Sequence, residues 1–385
     1  MKKIINAKIV LENEVVLGDL LIADDGRILK IGTVDRVADE TVDANGSYLL
    51  AGFIDIHSHG GGGYDFMDAS PEEMLKISGF HLGHGTTTLV ATTLTDTWDS
   101  IEAALGRFKA LGADRTTLHG VHLEGPWFSS KQCGAQSTET MEKPSPKKLR
   151  ELKSKYSFIE RISLAPEEDT GFATAKAGVD EGIVIAIGHS DADFDMTVSA
   201  AKNGYSLVTH LYSGMRGVVR ENAYRVAGCV EGSLFDDSLT VEVIADGRHL
   251  PAGLLKLIYK CKGADRICLV TDSTRGAGMK DGEEMILGKL CGGTPAIIED
   301  GVAKLPDRTA FAGSVATADR LFRTMMTLTD APITDVSKMI SATPARVMGY
   351  TDRGRIEVGL RADLVLMNGD YEVEAVFLNG ELKKI

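Results

Sequence analysis

Gly52-Phe53-Ile54-Asp55-Ile56-His57-Ser58-His59, running into Gly60–Gly63, is a run of small and apolar residues closed by His-Ser-His and four glycines. It reads as a short buried strand. Side chains alternate sides along a strand, so His57 and His59 point to the same side. Two imidazoles together at a strand end, ahead of a loop without side-chain bulk, form half of a metal site. The competing reading is a pair of histidines at a loop edge, and the rest of the chain decides between the two.

Outward from that strand, residues 51–353 alternate strand and helix. Strand candidates are Phe53–His57, Thr86–Thr92, Thr117–Glu124, Ile159–Ala165, Ile183–His189, Leu207–His210, Thr240–Ala245 and Ile267–Asp272. Ser70-Pro71-Glu72-Glu73 is a capping box with proline at the first helical position, ahead of Met74, Ile77, His81 and Leu82 at helical spacing. Ser145-Pro146 starts another helix, and Pro251–Lys262 carries Leu254, Leu255 and Ile258. Eight strands with helices between them predict an α/β fold, a (β/α)8 TIM-like barrel. In that architecture the reactive groups sit at the C-terminal ends of the strands.

Five of the eight strands end in residue types that bind metals. His57 and His59 close the first, Glu124 the third, His189 the fifth, His210 the sixth and Asp272 the eighth. Glu124 ends an apolar strand just before a Gly-Pro turn, an odd place for a carboxylate without a partner. Each has a bland explanation alone: a strand-end His is often a hydrogen-bonded core residue, and a strand-end Asp often caps the next helix. All of them at one barrel face point to a metal site.

The chain ends read differently. Ile4–Leu11, Val15–Ile22 and Ile28–Ile31 are strand-like, with a turn at Asp24-Asp25-Gly26. So are Ala362–Met367 and Glu374–Leu378, the latter followed by the hairpin turn Asn379-Gly380. Such strands cannot bury themselves alone. The expected organisation is a small β-sandwich domain built from residues 1–50 plus 354–385, around a barrel of residues 51–353.

Composition narrows the partners. The 385 residues are 43% hydrophobic and 25% charged, ordinary for a soluble globular protein. A net charge of -13 argues against nucleic acid and anionic membranes as general partners. An anionic substrate would then need a local patch of cations. Five scattered cysteines, none in a Cys-x-x-Cys pair, suit reduced thiols in the cytosol. The N-terminus lacks the apolar core of a signal peptide, and no apolar run is long enough to span a membrane. A cytoplasmic location is expected.

The ordered motifs carry more. They are Gly52–Gly63, HLEGPW (122–127), GHS (188–190), THLY (209–212), IADGRH (244–249), LVTDS (269–273), AGS (312–314), TPARVMG (343–349) and GRIEVGLRADLVLMN (354–368). With them the chain resembles the amidohydrolase superfamily and, more closely, the N-acetylglucosamine-6-phosphate deacetylase family. The resemblance covers nearly the whole chain.

It implies a divalent metal cofactor, one or two ions per subunit, with Zn, Fe, Co and Mn all compatible with His and carboxylate ligands. His57 and His59 would hold one position with Asp272, and His189 and His210 the other, with Glu124 bridging. Asp272 would be the catalytic base, taking a proton from water and delivering it to the departing sugar amine. The resemblance further implies substrate contacts from His249, Gln136, Ser213 and Gly214. Many relatives have a His where this chain has Gln136, and an Asn where it has Ser213. A cation for the substrate phosphate would come from an Arg of a second subunit in a homodimer. Arg220 is the nearest match, followed by Arg225, with Arg216 and Arg275 as other candidates.

The implied reaction is hydrolysis of the N-acetyl group of N-acetylglucosamine 6-phosphate. Two alternatives stand beside it: the same reaction on another N-acetylated amino sugar phosphate such as the galactosamine isomer, and a catalytically silent sugar-phosphate-binding protein. His81, His84, His119 and His122 read as packing residues, with His122 on the face of its strand that carries Glu124.

Overall fold

The structure is a computed structural model describing residues 1–112 and 116–383. Eight parallel strands follow one another in chain order: Phe53–Ser58, Thr86–Thr92, Leu118–Glu124, Ile159–Leu164, Val184–Ile187, Tyr205–Val208, Thr240–Val243 and Ile267–Leu269. The first and last meet at the Ser58–Ser273 bridge. There the Asp272 N–H donates to the His57 carbonyl at 2.9 Å and the His59 N–H to the Ser273 carbonyl at 2.7 Å. The sheet thus closes where the first and eighth strands bring their candidate ligands. This is the TIM-like barrel the strand and helix alternation predicts.

Local chemistry explains the elements. Every residue of Phe53–Ser58 and of Thr86–Thr92 is buried, as expected for parallel strands covered on both faces. Helix Pro71–Gly83 starts at the predicted capping box. Ser70 Oγ accepts the Glu73 N–H at 3.3 Å, and a Glu73 carboxylate oxygen accepts the Ser70 N–H at 2.8 Å. The helix buries Met74, Ile77, Ser78 and His81 against the barrel.

The barrel interior is layered. Ile54, Ile56, Val90, Ala186, Leu207, Ile244, Cys268 and Val270 form an apolar cluster. Ile56 belongs to it, so plain alternation would send His57 outward. A register irregularity between Asp55 and Ser58 turns His57 inward instead. The strands predicted to run through His189, His210 and Asp272 end earlier, at Ile187, Val208 and Leu269. His189, His210 and Asp272 have φ of +45°, +26° and +47°. Their left-handed backbone departs from strand geometry and turns each side chain toward the barrel mouth, a conformation that surrounding structure must hold in place.

Both chain ends contribute to a second sheet. Glu381–Lys383, Val373–Leu378, Leu364–Met367, Tyr48–Ala51, Lys2–Val10, Val15–Ile22 and Ile28–Gly32 pair in that order, and Glu40–Asp43 pairs with Lys2–Val10. The Asn379-Gly380 turn has positive φ at both residues, as a two-residue hairpin requires. Ile4, Ile9, Leu20, Leu49, Leu364 and Phe377 are among its buried residues. Two features have no counterpart in the sequence reading. A three-stranded antiparallel sheet, Glu284–Leu287, Thr294–Glu299 and Val302–Lys304, follows the last barrel strand, and a hairpin, Val219–Glu221 with Tyr224–Val226, follows the sixth. Among the described residues no helix is long and apolar enough to cross a membrane.

Candidate metal centre and its pocket

Six side chains converge at the C-terminal mouth of the barrel. The Nε2 atoms of His57 and His59 lie 3.4 Å apart. His59 Nε2 is 3.2 Å from a Glu124 oxygen and 3.2 Å from Asp272 Oδ1, and His57 Nε2 is 3.3 Å from the same Asp272 oxygen. The other Glu124 oxygen, Oε1, stands 3.0 Å from His210 Nε2 and 3.4 Å from His189 Nε2. Glu124 therefore stands between the two histidine pairs: Oε2 faces His59, while Oε1 faces His210 and His189 and lies 3.6 Å from His57 Nε2. His57, His59 and Glu124 form one group able to hold a cation, and Glu124, His189 and His210 a second.

The donor set fits a divalent metal. His57 Nδ1 lies 3.0 Å from Glu242 Oε2, and His189 Nδ1 2.8 Å from the Gln132 carbonyl. Those acceptors place the proton on Nδ1 and leave each Nε2 lone pair aimed at the centre. Gly214 makes room for this arrangement. Its φ is +56°, and a Cβ there would stand 2.7 Å from His189 Nδ1 and 3.0 Å from the Gln132 carbonyl.

The electrostatics favour added positive charge. Burial pushes the Glu124 carboxyl up, but the His57, His189, His210 and His59 rings outweigh it and hold the group well below the usual carboxylate range. Burial lowers His210, yet its bond to Glu124 and the charges of Glu124, Asp272 and Glu242 raise it to about 9. These carboxylates thus draw protons, or a cation in their place, onto the imidazoles.

A polar layer lies beneath this centre. Glu242 is fully buried, pairs with the equally buried Arg161, and also accepts the His210 backbone N–H at 3.2 Å. Arg161 donates to the Ile56 carbonyl at 3.0 Å. His122 packs its ring 4.7 Å from that of His57 and bonds Ser163 Oγ at 2.7 Å. Sequence reading passed over Glu242 and Arg161. The available signal was slight: Glu242 is the one charge in Thr240–Val243, while Arg161 shares Ile159–Leu164 with Glu160 and Ser163.

The open pocket above the centre is lined by His59, Glu124, His189, His210 and Asp272, and also by Gln136, Ser213, Gly214 and His249. Gln136 is locked: its amide N–H donates to Glu124 at 2.8 Å, and its carbonyl accepts the Thr95 N–H at 3.0 Å. His249 Nδ1 is held by Asp246 at 2.8 Å, which leaves Nε2 for the pocket. Leu94, Ala135, Leu287, Ala310 and Phe311 add an apolar side.

The arginines fall elsewhere. Arg220 and Arg225 are exposed on the 219–226 hairpin and do not line this pocket. Arg216 pairs with Glu221. Arg275 is buried and turned to Asp68, at 3.0 Å, and to the Gly288 carbonyl, so it ties loops together outside the pocket lining.

Comparison with known proteins agrees with this architecture. The amidohydrolase family profile matches residues 48–383. The N-acetylglucosamine-6-phosphate deacetylase of Bacillus subtilis (strain 168) is 36% identical over 389 aligned residues, covering 97% of this chain and 95% of the relative. That of Lysinibacillus sphaericus is 34% identical, covering 89% and 88%. The chain belongs to the N-acetylglucosamine-6-phosphate deacetylase family of amidohydrolases. The crystal structure of the Pasteurella multocida N-acetylglucosamine-6-phosphate deacetylase superposes on this family member with a TM-score of 0.91, 28% identity and 99% coverage of both chains.

Proposed function

We infer that this amidohydrolase hydrolyses the N-acetyl group of N-acetylglucosamine 6-phosphate, giving glucosamine 6-phosphate and acetate. The observation that carries the reading is Glu124 shared between two histidine pairs, with Asp272 beside them at the pocket mouth. His57, His59, Glu124 and Asp272 would hold one metal position, and Glu124, His189 and His210 a second. A divalent cation bound there supplies a lowered water pKa, toward about 7, and a polarised amide carbonyl.

The chain's own groups do the rest. Asp272 accepts the proton of the attacking water and returns it to the sugar nitrogen as the C–N bond breaks, so the nitrogen leaves as a neutral amine and not as an anion. His249, with its Nδ1 proton held by Asp246, offers Nε2 to the sugar. Gln136 lines the pocket with its amide N–H on Glu124 and, as a neutral amide, cannot serve as the cationic donor that a His at this position could be. Ser213 and Gly214 complete the sugar side of the pocket.

The phosphate contact is proposed to come from a second copy of the chain in a homodimer. Support lies in the exposed hairpin. Arg220 and Arg225 are directly opposite each other across its two strands. Like charges at such a pair repel unless an anion sits between them, and guanidinium groups bind phosphate well. The proposal also covers a cytoplasmic location, with the small sheet formed by residues 1–50 and 354–385 as a unit distinct from a 51–353 barrel.

The test compares acetate release from N-acetylglucosamine 6-phosphate, its galactosamine isomer and unphosphorylated N-acetylglucosamine. Preference for the first supports the reading. Preference for the galactosamine isomer would move the assignment to that epimer, to which Ser213 and Gln136 are relevant as pocket departures from the family pattern.

A further inference from the structure

One side of the pocket is not built by the barrel. Leu287, Ala310 and Phe311 belong to the segment carrying the three-stranded sheet. That sheet has a small core of its own, including Met285, Leu287, Ile298 and Ala312, against which Leu94 and Ala135 of the barrel loops pack. A wall with a separate core keeps its position through its attachments to the rest of the molecule.

Arg275, Asp65 and Asp68 hold the Gly288–Leu290 end of the sheet, and Arg320, on helix Ala318–Leu328, ties its other end to the loop carrying His249. Its Nε and Nη2 donate to the Asp246 carbonyl at 3.2 and 2.8 Å, and its Nη1 donates to the Gly301 carbonyl at 2.8 Å. Gly301, with φ of +69°, is in the turn between the second and third strands of the sheet. From there the contacts return to their start. Strand Val302–Lys304 pairs with the following segment through the Lys304–Phe311 bridge, and the Ala312 N–H donates to Ala303 at 2.9 Å. Phe311 packs its ring 4.6 Å from that of His249. Asp246 holds the His249 ring and accepts the backbone N–H groups of Arg248 and His249, each at 2.8 Å. The ring of contacts closes on the Asp246 carbonyl and Arg320.

We propose that Arg320 is a positioning residue: it docks the three-stranded sheet onto the loop presenting His249, so that Phe311 and His249 form one rigid side of the sugar site. A planar guanidinium with separate N–H groups can grip two carbonyls at once, which a lysine ammonium does less well. The kinetic part rests on the pocket being the substrate site; the docking part does not.

The test uses the full, metal-loaded chain with Arg320→Met, Arg320→Lys, Phe311→Ala and the Arg320→Met/Phe311→Ala double variant. Amide exchange is read over residues 246–250 and 299–303, and kinetics with N-acetylglucosamine 6-phosphate. Arg320→Met is expected to raise exchange in both segments together. It should raise KM about tenfold with kcat changed less than about twofold, since the groups moved bind the sugar rather than the scissile bond. Phe311→Ala should raise KM comparably, and the double variant no further than the larger single effect. Arg320→Lys should resemble Arg320→Met. Faster exchange in one segment only, a wild-type Lys variant, or a lowered melting temperature with unchanged KM would overturn the proposal. If the wild type does not turn over the sugar phosphate, the substrate reading fails, and the paired exchange still decides whether Arg320 docks the sheet.

Discussion

His57 Nδ1 lies 3.0 Å from Glu242 Oε2, inside a barrel where neither side chain is exposed. Glu242 also reaches the His210 backbone and Arg161. One carboxylate therefore braces a residue from each of the two candidate metal positions, with a buried guanidinium balancing its charge. Glu242→Gln keeps the shape and removes that charge. We expect cation affinity at the His57–His59 position to fall by about ten- to a hundredfold. Arg161 is left without its counter-charge, so stability should fall by about 3 kcal/mol or more. Metal titration of the stripped protein and urea unfolding measure the two effects; unchanged affinity would show that His57 needs no brace.

Gly214→Ala tests the second position. A methyl group there meets His189 Nδ1 and the Gln132 carbonyl, and the backbone is left-handed. The substitution should destabilise by about 1–3 kcal/mol and lower metal content at the His189–His210 pair. Elemental analysis beside a melting curve checks it. Full metal content would mean that the His189 ring tolerates displacement.

His81 predicts a pH dependence of folding. Burial lowers its pKa from 6.5 to about 4, the Gly60 carbonyl bond opposing and the nearby His84 reinforcing. Nε2 donates to that carbonyl at 2.9 Å, and burial keeps the folded ring neutral down to about pH 4. Between about 4 and 6.5 the unfolded chain binds a proton that the folded one does not. Stability from this group is therefore fully present above pH 6.5 and is lost as pH falls toward 4, by up to about 3 kcal/mol. His81→Gln retains a donor and cannot titrate. Its urea midpoint, measured on metal-stripped protein, should fall less than that of the wild type between pH 7 and pH 4.5. Equal falls would contradict the assignment.

Arg220 and Arg225 test the phosphate reading. Replacing both with Gln removes two cations from an exposed hairpin and should leave folding within about 0.5 kcal/mol. KM for the phosphorylated sugar should rise about a hundredfold, with little change for the unphosphorylated one. Equal effects on the two sugars would place the phosphate elsewhere.

The barrel and the convergence of its strand-end residues were legible because both depend on periodicity. Apolar runs of strand length gave the eight strands, and His57, His59, Glu124, His189, His210 and Asp272 all follow such runs. What stayed hidden depends on deviations from periodicity. The register irregularity that turns His57 inward leaves no mark in residue type. The left-handed φ at His189, His210 and Asp272 occurs at residues that do not announce it, unlike the glycine at 214. Glu242 and Arg161 look like ordinary charges until the barrel sets them against each other across its interior. Residues 284–304 carry four glycines, a proline and mixed polarity, and their small core is completed by Leu94 and Ala135 packing in from distant loops.

The most direct test of the central claim is acetate release from N-acetylglucosamine 6-phosphate by the wild type and Asp272→Asn, with metal content measured on the same samples. We expect rapid turnover by the wild type and a loss of about a hundred- to ten-thousandfold in Asp272→Asn with metal retained. A fully metallated wild type that releases no acetate, or an Asp272→Asn variant as active as its parent, would contradict the account.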